Sequence, residues 1–189
     1  MSADSSPRQI PDNFVLHRNI PEGVYLLRDV AEGLGDSPAV KAIFPDRRER
    51  EEVLGSIKVR IRPGQGYMRV DNFDLAIIVA QDHLRFSDIR VVYLDFIHEL
   101  VHIKQVREGK KIFSREVRYV DKDTEIEAYQ VTVLEARRIG MSEDEIRDYL
   151  DVPWIDDDEY AVLLRRLGVR QRKDDGRVLR GKELNLSHS

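Results

Sequence analysis

Cysteine is absent from the 189-residue chain. That excludes a disulfide framework, a thiol nucleophile and any Cys-ligated zinc or iron–sulfur site, so a metal must be held by His and carboxylate. No stretch of about 18 apolar residues occurs, so no transmembrane helix is expected. The first residues, Met1 to Pro11, are polar and carry no apolar core of the kind a secretory signal needs. A basic excess is also missing: Lys+Arg is 31 against Asp+Glu 35, a net charge of −4. A broad phosphate-binding surface is therefore not expected, and no nucleic-acid partner. No internal repeat is visible. What is present is 41 % hydrophobic and 35 % charged residues, enough apolar material for a packed core in one domain. The expectation is a cytoplasmic protein with a flexible leader over 1–13, one domain over 14–168 and a polar tail or hairpin over 169–189.

The apolar spacing predicts a helical stripe through Val24, Leu26, Leu27, Val30 and Leu34, closed by Gly33 or Gly35. Asp36-Ser37-Pro38 starts a second short helix, and Pro45 to Leu54 is a charged, solvated helix ending at Gly55. Ser56 to Arg62 then alternates polar and apolar residues as a half-buried strand does. Pro63-Gly64-Gln65-Gly66 is turn material before Tyr67 to Val70, which predicts a β-hairpin. Phe73 to Ala80 is a third strand. Ser87-Asp88 caps a long helix from Ile89 to Arg107, apolar on most sides and stopped by Gly109. Further helices are expected from Asp123-Thr124 to Ile139, from Ser142 (a capping box with Glu145) to Leu150, and from Asp156 to Leu167.

The chemistry sits in the middle of the long helix, at His98-Glu99-Leu100-Val101-His102. Residues four apart lie one above the other on a helix, so the two imidazoles can face one Zn²⁺. Glu99 lies about 100° round the axis, off the metal and towards a water on it. Zinc lowers the pKa of such a water to about 7, and the carboxylate can take its proton. The pattern arises by chance in a chain of this composition on the order of 1 in 100 times. A purely structural His pair would leave two imidazoles and a carboxylate desolvated in a strongly apolar helix, whereas a metal with its water pairs with all three.

A catalytic zinc needs a third protein ligand. Gln105 and Glu108 stand where a metzincin would have Gly and His, which excludes that class. His17, His83 and His188 read as surface or loop histidines. The candidate is a carboxylate on the next helix, in Thr124-Glu125-Ile126-Glu127-Ala128. Glu125 precedes the small Ala128 by three, and a small residue lets this helix approach the first. Glu127 competes, although with Thr124 it also makes a capping box.

His98-Glu99-x-x-His102 followed by Glu125-x-x-Ala128 resembles the gluzincin metallopeptidases, in particular the minigluzincins and the ImmA/IrrE-type peptidases, over about residues 56–140. The resemblance implies an α+β, zincin-like fold: a small β-sheet packed on the zinc helix, with further helices after it. It implies His98, His102 and Glu125 as zinc ligands and Glu99 as general base. Tyr129 stands where several gluzincins have an Asp that orients a ligand His, so that role falls to Asp95 or Asp123. Tyr119 and Tyr129 are candidates for polarising a substrate carbonyl.

The expected function is a zinc metallopeptidase, a hydrolase acting on a peptide or protein substrate. In zincins an edge strand before the zinc helix binds the extended peptide, a role open to Phe73–Ala80. The alternative is an internal strand with the cleft covered by residues 110–120. The basic stretch Lys110 to Arg115 borders the cleft and suits either an acidic partner or plain solvation. The competing function is a zinc-stabilised binding or regulatory module without general proteolysis. A repressor-cleaving peptidase is a further option, but no helix-turn-helix supports it.

Overall fold

The alternation over residues 56–62 and the run Phe73–Ala80 both want a sheet; of the second only Ile77–Ala80 is strand, Phe73 standing exposed in the turn before it, and the sheet differs in order from a simple hairpin. In the computed structural model, which describes residues 9–113 and 117–171, β1 (Val15–Leu16) and β3 (Ala31–Glu32) form a small antiparallel pair. The main sheet contains β2 (Gly23–Leu26), β4 (Lys58–Arg62), β5 (Met68–Val70) and β6 (Ile77–Ala80) in the order β2-β4-β6-β5. β4 and β6 run parallel; the other pairs are antiparallel.

Two sequence expectations are corrected here. Val24 and Leu26 belong to strand β2, paired with β4, and only α1 (Leu27–Val30) makes a helical turn. The same apolar spacing serves both periods, two for Val24/Leu26 and three for Leu27/Val30, and pairing with β4 decides which applies. The hairpin between β4 and β5 is also wrong, because β6 lies between them. β6 buries Ile77 and Val79 on one face and Ala80 on the other, with Ile78 half-buried, which suits a central place covered on both faces. β5, with its exposed Arg69, suits an edge. The chain crosses over through Gly64 and Gly66, both at positive φ, and a Cβ at Gly66 would press on Ala80 at 3.3 Å. The real hairpin joins β5 to β6. Its turn is closed by Asp71 N–H to Ala76 C=O at 2.7 Å and braced by Arg60 to Asp71 and Asp74.

The remaining helical expectations hold, except that the helix expected to end at Gly55 runs through it to Ser56 and that Gln81–Phe86 adds an unforeseen helix. α2 (Pro38–Ile43) starts at the Ser37 cap and α3 (Arg47–Ser56) at the Asp46 cap. α4 (Gln81–Phe86) leads into α5 (Ile89–Arg107), whose N-cap Asp88 accepts from the Arg90 N–H. α6 (Asp123–Arg138), α7 (Glu143–Leu150) and α8 (Asp157–Arg166) follow, the last two with capping boxes. The contacts of α5 with α6 run Gln105–Thr124, His102–Glu125, Tyr93–Glu135, so the two helices are antiparallel. Tyr93 donates to Glu135 Oε1 at 2.6 Å and also meets Ser37, which ties α2, α5 and α6 at the far end from the histidines.

The chain is thus α+β, with a small mixed sheet and mostly helices. One buried apolar cluster runs from Phe14 to Val169. Within the leader, Ile10 packs against that cluster and Asn13 bonds Asp36 at 2.6 Å. The tail hairpin expected about Asp174–Gly176 lies outside the described residues. Among the described residues no helix is long and apolar enough to cross a membrane.

Candidate metal centre

Burial of α5 on most sides brings His98, Glu99 and His102 into the interior, each under a tenth exposed. Ala128, fully buried, lets α6 lie close against α5, and Glu125 at the start of α6 then faces both imidazoles. The three ligand atoms form a triangle. His98 Nε2 and His102 Nε2 are 3.0 Å apart, and each lies 3.4 Å from Glu125 Oε2. Ligands on a tetrahedral zinc at about 2.0–2.1 Å stand roughly 3.3–3.4 Å from one another. Two edges of the triangle have that length and the third is slightly short. The group can therefore hold a metal ion, and among the described residues no fourth His, Asp or Glu joins it.

Without a metal the same atoms form a charged hydrogen-bonded cluster. Burial opposes a charge on His102, but its bonds to Glu125 and the charges of Glu99 and Glu125 outweigh that, and its pKa is pushed up to about 9. Burial likewise opposes ionisation of Glu125, yet the hydrogen bonds from His102 and His98 hold its carboxyl well below the usual carboxylate range. Glu99 has no such support. Burial raises its pKa, only partly offset by the two histidines. A carboxyl so placed is poised to hold a proton.

The surroundings differ from the sequence expectation. His102 is oriented by Gln105, whose Oε1 lies 2.8 Å from Nδ1, while Gln105 Nε2 donates to Thr124 C=O and Glu127. Gln105, where a metzincin would have Gly, stands three residues after His102 and so on the same helical face, the one signal in the sequence for this contact. Asp95 does not serve His98. It lies 2.7 Å from Nε2 of His83, which is buried rather than on the surface, and Ser87 Oγ lies 2.8 Å from the other ring nitrogen. His98 Nδ1 is buried without a hydrogen-bond partner. Asp123 is paired with Arg166 on the outside, and Glu127 with Lys110 and Gln105, so neither reaches the triangle. Glu127 has no part in the cluster, because Lys110 and Gln105 draw it the other way.

A cleft of ≈ 1390 Å³ opens onto the site. Glu99, Asp95 and His83 line it beside the three ligands, as do Tyr119, Tyr129 and residues 67–70 of the β5 segment. The Tyr129 ring packs 4.5 Å from His98, and its hydroxyl meets that of Tyr119 at 2.9 Å. Burial raises the pKa of both tyrosines, so both stay protonated as donors. β6 is internal and β5 is the edge strand next to it, while Ile112 and Phe113 also line the cleft. Comparison with protein-family models, curated proteins and solved structures gives no match. Function has to be read from the chemistry of the cleft.

Proposed function

We propose that the chain is a zinc-dependent peptidase with a zincin-like arrangement, hydrolysing a peptide laid in the cleft. One observation carries the reading: a His98–His102–Glu125 triangle of tetrahedral dimensions, with a buried carboxyl, Glu99, beside it on an open cleft. Zinc bound there supplies a Lewis acid for a water and a carbonyl oxygen. Glu99 takes the proton of the attacking water and passes it to the leaving amine, a task suited to a carboxyl whose pKa burial has raised. The hydrogen-bonded Tyr119–Tyr129 pair, held protonated, offers one hydroxyl donor for developing charge on the substrate oxygen. The peptide is offered a free sheet edge. Tyr67 C=O and Asp71 N–H are spent on β6, so the alternation turns the backbone groups of Met68 and Val70 outward.

The test is metal content and hydrolysis of unstructured protein substrates by wild type, Glu99→Gln and Glu125→Ala. Glu99→Gln is expected to keep one zinc per chain and lose activity by about 10²–10⁴-fold. Glu125→Ala is expected to lose zinc. Zinc-free wild type, or full activity in Glu99→Gln, ends the proposal. A narrow substrate range, or a binding role without turnover, is favoured by one feature: two rings that line the cleft, Tyr67 and Trp154, are in contact.

A further inference from the structure

Tyr67 stands at the start of the β5 edge, and Trp154 stands on the segment between α7 and α8. Their rings meet edge to face with centroids 5.0 Å apart and planes at 85°. Both line the cleft, and the contact bridges it from the sheet side to the helical side. The bridge is not a core contact: Tyr67 and Trp154 are each 47 % exposed, and Phe113, which also lines the cleft, is 43 % exposed. Large apolar surface left open at a cleft mouth is unused binding surface. The bridge also reaches the metal ligands. Trp154 packs on Tyr119 at 6.0 Å, edge to face, and the Tyr119 hydroxyl lies against Tyr129 and beside the Glu125 carboxylate. The indole is thus one side chain away from the ligand set.

On the reading that this cleft takes a peptide, we infer that Tyr67 and Trp154 select its side chain: the pair parts to admit a substrate carrying an aromatic or large aliphatic residue within a residue or two of the scissile bond. A chain paired with Met68 and Val70 must pass Tyr67, and it cannot do so while the rings touch. Opening the bridge loses one aromatic contact. An entering Phe or Leu side chain replaces it against Trp154 and Tyr67, whereas Gly replaces nothing. One aromatic pair corresponds to a preference of about three- to tenfold.

Trp154 is the single tryptophan, so its emission reports the event directly. The ligands are acetyl-Gly-X-hydroxamate and acetyl-X-Gly-hydroxamate, with X = Gly, Leu or Phe, titrated into the zinc-loaded full chain. In at least one series Phe is expected to bind about three- to tenfold tighter than Gly and to give a Trp154 emission different from that of the Gly complex. Trp154→Ala is expected to bring the Phe/Gly ratio near one, because the all-Gly compound no longer loses a ring contact on entry and binds about three- to tenfold tighter, while zinc content holds. Trp154→Phe restores most of the ratio. Tyr67→Ala, which leaves the indole in place, loses the preference but keeps the fluorescent probe. Equal binding of Phe and Gly compounds in wild type, or an unchanged ratio in Trp154→Ala, overturns the selection and leaves the peptidase reading standing. Failure of every hydroxamate, the all-Gly one included, to bind a zinc-loaded chain means the metal has no open position. The peptidase reading then falls, and the selection with it.

Discussion

At the scale of single residues, the two imidazoles are not equivalent. His102 has its Nδ1 held by Gln105, which turns Nε2 towards Glu125, while His98 Nδ1 has no partner. A hydrogen bond to the remote nitrogen fixes the tautomer and raises the basicity of the ligating one. Gln105→Leu is expected to weaken metal binding by roughly 10–100-fold, measured by competition with a chelator of known affinity. Unchanged affinity would make Gln105 a mere tie between α5 and α6. The proton on His102 gives a second expectation. Its pKa lies above its ordinary 6.5, at about 9, so the metal-free cluster is stabilised fully below pH 6.5 and loses that support as pH rises through 9. A metal must displace this proton. At pH 7 binding is expected to release about one proton, and affinity to fall as the solution is made more acidic. Calorimetry in buffers of different ionisation heats counts the protons. The pattern at 98–102 was legible in the sequence because helical spacing alone brings its groups together. The partners of His83 and Asp95 were not, because α4 and α5 meet only in three dimensions.

At the scale of elements, local pattern and tertiary pairing part company in the sheet. Long periodic helices, such as Ile89–Arg107 and Asp123–Arg138, are readable because the period repeats over several turns. Val24–Leu26 is too short to distinguish a strand from a helix, and strand order depends on which strand is buried on both faces. The E-x-x-A spacing singled out Glu125 because it predicts a close crossing of two helices, and Ala128 is indeed fully buried at that crossing. Ala128→Leu inserts three carbons where none fit and is expected to cost about 1–3 kcal/mol in chemical denaturation. It also moves Glu125 away from the imidazoles, so metal affinity should fall with stability. A stable variant with normal metal affinity would mean that helix spacing does not position the third ligand.

At the scale of the molecule, the cluster is a polar island within one apolar core. His98, Glu99, His102 and Glu125 are all buried, between the sheet side and α6. Groups of this kind are expensive to bury unless they are paired, and the histidine–glutamate bonds satisfy them only in part. A cation on the triangle completes the pairing in the native state and has no comparable site in the unfolded chain. Zinc should therefore raise the melting temperature in step with its concentration. At a thousand times the dissociation constant the gain is about 4 kcal/mol. For a chain of this size each kcal/mol shifts the midpoint by about 2–4 °C, so a shift of roughly 8–16 °C is expected. His98→Ala and Glu125→Ala should melt at temperatures that zinc hardly moves. Glu99→Gln keeps the triangle and removes a buried carboxyl outside it, so it should respond to zinc as fully as the wild type. That contrast separates ligand from base by stability alone, without a substrate. An equal zinc response in all four chains would place the metal elsewhere on the molecule.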